Sequence, residues 1–163
     1  MITSVVLKEF PFFQSFTMGE IDALLQSSDL IEKYIEGKYI IVQGSEQTEE
    51  VFILLQGEVE ITDAANQHIT YLNAGSLFGE ISFITHQPRL TNVIAVGHVV
   101  VVRIDKKSVE KVDAQLQIRI KDGLIDTLVS RLVDMNHKMV EKDRANLALV
   151  KALRDLGQNP ELE

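Results

Sequence analysis

Between about residues 32 and 104 the chain is a succession of short segments rich in β-branched and aromatic residues, with glycines between them. These segments are Tyr39–Val42, Val51–Leu55, Val59–Ile61, His68–Leu72, Asn92–Val96 and His98–Val102. Many short strands at near-regular spacing predict a sandwich, a jelly roll or a barrel. Gly57 and Gly97 each stand between two of the segments, so we expect hairpin turns with positive φ at these glycines.

The sequence before the strands is amphipathic and predicts helix. Thr17 is a good N-cap residue, and Glu20 completes a capping-box pattern three positions later, ahead of the apolar Ile21. Upstream, phenylalanines crowd around Pro11, at Phe10, Phe12, Phe13 and Phe16. Such a cluster can stack on a ligand, but the favoured interpretation is an aromatic plug that packs a helix onto the core.

The sequence after the strands is also helical. Asp105 is placed to cap a short helix Lys106–Val112, and a longer helix follows from about Gln115 to Leu156. Apolar residues recur along it at heptad spacing and form what we call the heptad seam, namely Ile118, Ile125, Leu128, Leu132, Met135 and Met139. A second apolar stripe, Leu149, Leu153 and Leu156, follows a polar break. A helix of this length exceeds what a small barrel needs for cover, so we expect a homodimer through it. Packing of the helix onto its own barrel is the alternative.

A chain of 163 residues suits one domain with a helical extension, at roughly 100–200 residues per domain. We predict a β domain with its N-terminal helices over residues 1–114, a long helix over residues 115–156 and a tail over residues 157–163. The fold class is α+β and mainly β, with helices at both ends.

Charge and composition exclude several classes of protein. The chain has 16 basic and 24 acidic residues and a net charge of −8, whereas nucleic-acid binding needs a basic face. Lys106, Lys107 and Lys111 alternate with acidic residues and are read as a solvated helix face. No apolar run approaches the roughly 18 residues of a membrane span. With no cysteine and no signal-peptide pattern, we expect a cytoplasmic protein without nucleic-acid or membrane partners.

The segment from Gly75 to Thr91 breaks the strand pattern and carries the candidate chemistry. Residues 80–84 can form a short helix directly after Gly79, and a helix start favours an anion because its backbone N–H groups are unpaired. Arg89 follows a loop that can fold back to this helix start, where its guanidinium could bind a phosphate bidentately. Glu80 would then accept a hydrogen bond from a ligand hydroxyl. The alternative is a surface salt bridge between Glu80 and Arg89.

Two stretches, Phe78–Ile84 within this segment and Pro88–Ala95 across its end, closely resemble the phosphate-binding cassette of the cyclic nucleotide-binding domain family. That family includes catabolite activator proteins and the regulatory domains of cyclic-nucleotide-dependent kinases and channels. A second family signature lies upstream, in Gly37–Gly44 and Val51–Val59. The resemblance implies a β-roll of the double-stranded β-helix type with N-terminal helices and a long C-terminal helix. It also implies a cyclic mononucleotide ligand, and we expect cyclic AMP rather than cyclic GMP.

The resemblance further implies roles for individual residues. Glu80 would accept a hydrogen bond from the ribose 2′-hydroxyl, with the Gly79 backbone nearby. Arg89 would pair with the cyclic phosphate, and the backbone N–H groups of Leu90 and Thr91 would complete its cradle. Leu90 departs from the small residue usual after the arginine, so any hydroxyl contact is lost there.

On the long helix, Met135 and Asn136 align with the residues that face the base. The predicted ligand site therefore comprises Phe78, Gly79, Glu80, Ile81, Arg89, Leu90, Thr91, Met135 and Asn136. Catabolite activator proteins continue into a DNA-binding domain, whereas only a short tail follows Gly157 here. We therefore expect a separate effector protein to read the signal.

Other function classes are weaker. Jelly-roll oxygenases need a histidine cluster, commonly two histidines one residue apart with a carboxylate, and none of the four histidines here forms such a pair. Glu80 lacks a partner carboxylate or an activated nucleophile at a recognisable spacing. We therefore expect neither a metal nor enzyme activity. The second hypothesis is a protein-interaction module that kept the fold and lost the ligand.

Overall fold

The computed structural model describes residues 2–27 and 30–157, so most of the predicted tail lies outside the described residues. The N-terminal region contains α1 (Ser4–Lys8), a 3₁₀ turn (Pro11–Phe13) and α2 (Met18–Ser27). The strands are β1 (Ile31–Tyr34), β2 (Tyr39–Ile41), β3 (Glu50–Thr62), β4 (His68–Asn73), β5 (Leu77–Phe78) and β6 (Asn92–Asp105). The remaining helices are α3 (Glu80–Thr85), α4 (Lys106–Lys111) and α5 (Ala114–Gly157).

The caps predicted for two helices are present. The backbone N–H of Thr17 donates to Oε2 of Glu20 at 2.7 Å, and the backbone N–H of Glu20 donates to Oγ1 of Thr17 at 3.3 Å. This reciprocal capping box satisfies two donors that a helix start otherwise leaves unpaired. At α4, Oδ1 of Asp105 accepts from the backbone N–H of Ser108 at 2.7 Å. Both helix starts are therefore confirmed.

The described strands form one antiparallel sheet around a long central pair. The strand order is β1-β6-β3-β4, with β2 on β6 and β5 on β3. Pairing of β3 with β6 extends from Glu50 opposite Asp105 to Thr62 opposite Asn92. The result is the mainly β architecture that the sequence predicts, with helices at both ends.

The two glycines expected in hairpin turns lie inside strands instead. β3 runs through Gly57 and β6 runs through Gly97, so each strand joins two of the predicted segments. Both glycines have positive φ, +89° and +71°. The pairing register shifts on either side of Gln56, as at a β-bulge that bends a long strand pair. A Cβ at Gly57 would lie 2.3 Å from the carbonyl oxygen of His98. The hairpin prediction is wrong for both glycines, and at Gly57 the physical reason is the close approach of the two strands, which leaves no room for a side chain.

Apolar side chains fill two buried clusters, one against the helices and one within the sheet. Phe12, Phe13 and Phe16 belong to the first cluster, and their ring centroids lie 5.1–5.7 Å apart. Burying one such side chain contributes about 1.5–3 kcal/mol. The interpretation of these phenylalanines as a core plug is confirmed.

Helix α5 begins as predicted but packs through a different face. Leu116, Ile120 and Leu124 recur every four residues and are fully buried in the helix-side cluster. Ile118 of the heptad seam is 60% exposed. The first turns of α5 therefore contact the core through residues that the seam prediction missed.

The chain divides into two compact units, Met1–Leu124 and Ile125–Glu163. In the second unit, the described part of α5 exposes most of its apolar residues, including Ile125, Leu132, Met135 and Met139. Leu128 is half-buried, and the side chains of Leu153 and Leu156 lie outside the described residues. The domain boundaries at residues 114 and 156 stay a prediction. None of the described helices is both long enough and apolar enough to cross a membrane.

Candidate functional site

The candidate site is built on Gly79, the residue that links β5 to α3. Gly79 has φ +82° and caps the N-terminus of α3, which confirms the short helix predicted after it. A Cβ at this position would lie 2.9 Å from Nη1 of Arg89 and 3.1 Å from Cδ1 of Ile41. Glycine therefore meets two requirements here, a left-handed backbone and a close approach by the arginine.

The side chain of Arg89 is buried and held by backbone carbonyls. Arg89 is 4% exposed. Its Nε donates to the carbonyl of Gln47, its Nη1 to the carbonyl of Gly79 and its Nη2 to the carbonyl of Glu50, each at 2.8 Å. The prediction that the loop before Arg89 folds back to the helix start is confirmed.

These bonds fix the plane of the guanidinium without using all of its donors. A guanidinium has five N–H groups, so one N–H remains on each Nη after the bonds to Gln47, Gly79 and Glu50. Burial lowers the pKa of Arg89, and the negative charges of Glu50 and Glu80 act in the opposite direction. Arginine stays protonated because its ordinary pKa is so high. The site therefore contains a positioned, buried cation.

The backbone of Arg89 joins the two sequence signatures. The backbone N–H of Gly44 donates to the carbonyl of Arg89 at 2.8 Å, and the backbone N–H of Arg89 donates to the carbonyl of Ser45 at 3.0 Å. Gly44 itself has φ +77°. The glycine-rich signature before β3 and the segment after α3 are therefore hydrogen-bonded to each other at the candidate site.

Glu80 lies in the first turn of α3 and is 2% exposed. Its charge acts on Arg89, so the two ionisable side chains share one buried environment. A surface salt bridge between them, the alternative raised from the sequence, is wrong because neither side chain is on the surface. Since burial of charged groups is costly, a buried acid and a buried base together mark a functional site candidate.

The other predicted residues fall into different environments. Phe78 is 2% exposed and stacks on Phe52, with ring centroids 5.3 Å apart, so its ring belongs to the core. Ile81 and Leu90 are exposed, and Thr91 is half-buried. Met135 and Asn136 lie on α5 in the second unit, where both are exposed.

The structure adds residues to the site that sequence reasoning missed. Gln47 and Glu50 contribute backbone carbonyls to Arg89, and no residue type signals such a contact because every residue has a carbonyl. Asn92, three residues after Arg89, contacts neither Arg89 nor Glu80 in these bonds but fixes the segment that follows the arginine: it is buried, its Oδ1 accepts from the backbone N–H of Gln43 at 2.8 Å, and its Nδ2 donates to the carbonyl of Asp63 at 2.9 Å. A polar residue at the start of an apolar strand was the available signal for Asn92.

The described residues contain no group of three or more histidine, aspartate or glutamate residues that could hold a metal ion. The arrangement offers one buried guanidinium, one buried carboxylate and nearby backbone N–H groups. These groups can bind an anion that carries a hydroxyl next to it.

A family model described as a cyclic nucleotide-binding domain matches residues 31–115. The chain is 34% identical over 98 residues to the cAMP-dependent protein kinase type II regulatory subunit of Drosophila melanogaster, over 58% of this chain and 24% of that protein. The chain spans between 14% and 24% of the length of three curated relatives that it matches.

Solved structures show the same fold. The catabolite activator protein of Thermus thermophilus matches with a TM-score of 0.66 at 23% identity, over 89% of this chain and 71% of that one. The regulatory subunit of a cAMP-independent protein kinase A from Trypanosoma brucei matches with a TM-score of 0.60 at 26% identity, over 76% and 44%. The predicted β-roll is confirmed. Since the family model covers more than half of the 163 residues, the chain belongs to the cyclic nucleotide-binding domain family.

Proposed function

We propose that the chain binds a cyclic mononucleotide, cyclic AMP in preference to cyclic GMP, and acts as a regulatory sensor through its C-terminal helix. The observation that carries the proposal is the burial of Arg89 and Glu80 in one site at Gly79. A positioned cation beside a carboxylate suits a ligand that carries one phosphate charge and a neighbouring hydroxyl donor. Membership of the family supports the same ligand class.

Arg89 is the proposed phosphate anchor. The N–H groups that remain on Nη1 and Nη2 can donate to two phosphate oxygens, and charge-assisted bonds of this kind are the strong ones. The backbone N–H groups of Leu90 and Thr91 donate to no other group in residues 2–27 and 30–157, so both remain available, and we propose that they complete the phosphate cradle. The phosphate would therefore replace no bond that already holds the arginine.

Glu80 is the proposed acceptor for the ribose 2′-hydroxyl. Its carboxylate is buried beside Arg89, where it can distinguish a ligand with this hydroxyl from one without it. A ligand that lacks the hydroxyl forfeits a hydrogen bond to a charged acceptor, so it should bind more weakly. Phe78, Gly79 and Ile81 flank Glu80 in the sequence and belong to the proposed ligand site.

The preference for cyclic AMP follows from the residue after the arginine. Family members that select guanine often carry a threonine there, whereas this chain has Leu90, which has no hydroxyl. The Drosophila relative is named as cAMP-dependent. Met135 and Asn136 are the residues of α5 that we propose to face the base.

We propose that the signal passes through α5 as a parallel homodimer and is read by a separate effector protein. The support is the exposure of the heptad seam, with Leu132, Met135 and Met139 between 58% and 66% exposed in the single chain. Met135 is both a seam residue and a proposed base contact, so ligand and dimer packing would share one side chain. A ligand shifts such an equilibrium only by its difference in affinity for the two states. A cytoplasmic location stays a prediction.

A ligand-independent interaction module is the second candidate function. The guanidinium of Arg89 already has three backbone partners, and the apolar side chain of Leu90 beside it is 57% exposed. The Trypanosoma relative is described as cAMP-independent. These observations fit a domain in which Arg89 holds the fold and Leu90 contacts a protein.

Isothermal titration separates the two functions. The purified chain is titrated with cyclic AMP, cyclic GMP, cyclic dinucleotides and linear 5′-AMP, and the titration is repeated with Arg89→Ala. Losing a bidentate pair to a charged group should weaken cyclic AMP binding on the order of 10- to 100-fold. Arg119→Ala is the matched control, because Arg119 also bonds a backbone carbonyl, that of Ser15, and lies outside the candidate site.

The proposal predicts heat with cyclic AMP, weaker binding of cyclic GMP and little with linear 5′-AMP. Equal binding by the parent and Arg89→Ala would remove the assignment of the pocket. Absence of heat and of a thermal shift with every cyclic nucleotide would favour the interaction module instead.

A further inference from the structure

We propose that Arg103, on β6, is a positioning residue for the ligand site and acts on Arg89 through Glu50. The inference rests on the proposed function, since it adds a residue that orients the phosphate anchor. Arg103 would contact no ligand atom itself. Its role follows from two hydrogen bonds made by a single residue, Glu50, one with its side chain and one with its backbone carbonyl.

The side chain of Glu50 is bound by Arg103, and the backbone carbonyl of Glu50 binds Arg89. Nη1 of Arg103 donates to Oε1 of Glu50 at 2.7 Å. The carbonyl of Glu50 accepts from Nη2 of Arg89 at 2.8 Å. A shift of Glu50 would therefore move one of the three carbonyls that fix the plane of the Arg89 guanidinium.

Arg103 also resolves a repulsion between the ends of two strands. Glu50 and Asp105 are directly opposite each other in the β3–β6 ladder, and like charges in such a pair are destabilising. Arg103 is two residues from Asp105 on the same strand face, and its Nη1 lies 2.7 Å from Oε1 of Glu50 and 3.8 Å from Oδ2 of Asp105. Its Nε lies 2.7 Å from Oε1 of Glu32 on β1. One guanidinium thus lies within ion-pair distance of three carboxylates and reduces the repulsion between them.

The segment that bears these carbonyls is fixed at several other points, so Glu50 has little freedom once Arg103 is in place. The backbone N–H of Lys106 donates to the carbonyl of Glu49 at 2.9 Å, which ties the segment to the start of α4. The carbonyls of Ser45 and Gln47 accept from Arg89 at 3.0 and 2.8 Å. Without Arg103, the two opposed carboxylates would repel each other, and we expect Glu50 to shift at the end of β3.

Only the shape of a guanidinium fits this arrangement. Arg103 donates a hydrogen bond to Glu50 through Nη1, whereas its Nε lies at ion-pair distance from Glu32 without hydrogen-bond geometry, so two nitrogens of one planar group pair with two carboxylates. A lysine would supply the charge but could not span both carboxylates with the same geometry. Arg103→Lys should therefore retain part of the cyclic AMP affinity that Arg103→Gln loses.

The test is a double-mutant cycle on the full chain. Cyclic AMP affinity is measured for the parent, Arg103→Gln, Arg89→Ala and the double variant, with Arg103→Lys as the conservative variant. Arg119→Gln is the control, because Arg119 is similarly half-buried and pairs with Glu20 at 3.0 Å in the N-terminal helical region. In parallel, hydrogen exchange of the Arg89 Nε–H is followed by NMR without ligand.

We expect Arg103→Gln to weaken binding by about 2- to 30-fold, the range that couplings of this kind produce. The loss should nearly vanish in the Arg89→Ala background, because Arg103 acts only through Arg89. Exchange of the Arg89 Nε–H should accelerate in Arg103→Gln, less in Arg103→Lys and not in Arg119→Gln. If Arg103→Gln does not fold, Arg103→Lys carries the same comparison.

A loss of affinity that is additive with Arg89→Ala would overturn the proposal, since Arg103 would then act on stability alone. So would unchanged exchange of the Arg89 Nε–H in both Arg103 variants. If the parent binds no cyclic nucleotide, the proposed function fails, and the exchange measurement still decides whether Arg103 positions Arg89.

Discussion

The site around Arg89 and the second half of α5 differ in where their polar and apolar groups find partners. Around Arg89, each guanidinium nitrogen donates to a carbonyl of the same chain, and Glu80 and Arg89 are both almost fully buried. In the second unit, large apolar side chains such as Leu132 and Met139 are more than half exposed. The first region is complete within one chain, whereas the second presents apolar surface that a second chain could cover.

The difference shows that the chain combines a region held by long-range hydrogen bonds with a helix whose apolar face is repeated locally. The candidate site is determined by bonds between segments distant in sequence, such as Arg89 with Gln47, and these bonds form together with the sheet. The apolar face of α5 repeats along one helix, and its stability depends on what packs against it. Changes in the two regions should therefore act on different measurements.

Leu132→Glu tests the α5 side of the comparison and should have the largest effect. If the heptad seam forms a dimer, the substitution buries an unpaired carboxylate, which costs several kcal/mol and should dissociate the dimer. Sedimentation with and without cyclic AMP measures the association. Ser130→Glu adds the same charge two residues earlier, off the seam, and should leave the dimer intact. A parent that stays monomeric under all conditions ends the dimer proposal.

Gly57→Ala tests the sheet that supports the site. A Cβ there would lie 2.3 Å from a backbone carbonyl, which cannot move aside as a flexible side chain can. Gly97→Ala is matched, since Gly97 also has positive φ in a strand but nothing within 4 Å of its Cβ position. We expect about 1–2 kcal/mol of destabilisation from Gly97→Ala and more from Gly57→Ala, measured by urea unfolding. Equal losses of unfolding free energy in the two variants would mean that β3 and β6 can move apart at Gly57 to admit a side chain at no cost.

Glu80→Ala sharpens the assignment inside the ligand site. Removing the proposed acceptor for the ribose hydroxyl should weaken cyclic AMP binding by roughly 5- to 15-fold, the equivalent of about one hydrogen bond. With 2′-deoxy cyclic AMP the cost should shrink, because that ligand has no donor to lose. Calorimetry of both ligands with the parent and the variant gives the comparison. The same loss of affinity with both ligands would contradict the assignment of Glu80 as the acceptor for the ribose 2′-hydroxyl.

Asp105→Asn should have the smallest effect, and the effect should depend on pH. Burial acts to raise the pKa of Asp105, but hydrogen bonds from Ser108 and the charges of Arg103 and Lys111 outweigh it, so the pKa lies below its ordinary 3.8. The stabilisation is therefore present above about pH 4 and is lost as pH falls through the lower pKa of the folded state.

Asparagine keeps the helix cap and removes the charge. The parent should exceed Asp105→Asn in free energy of unfolding by up to about 1 kcal/mol at neutral pH, and the difference should disappear in acid. Urea unfolding across the pH range measures it. A constant difference between pH 2 and pH 7 would show that the carboxylate charge plays no part.

Much of the local structure could be predicted because its signals are local. The capping box at Thr17, the cap at Asp105 and the short helix after Gly79 each depend on residues within about one helical turn. Gly57 shows the limit of such reasoning. A glycine between two strand-like segments indicates a turn, but only the partner strand at His98 shows that the position is a bulge.

The sequence by itself determined the family, the mainly β class and the identity of Gly79, Glu80 and Arg89 as candidate residues, because these depend on residue type, order and spacing. Only the tertiary structure decided that Arg89 is held by the carbonyls of Gln47, Gly79 and Glu50. It also decided that α5 meets the core through Leu116, Ile120 and Leu124 rather than through Ile118. The physical reason is common to both: backbone carbonyls are the same in every residue, and the face that a helix buries depends on the surface against which it packs.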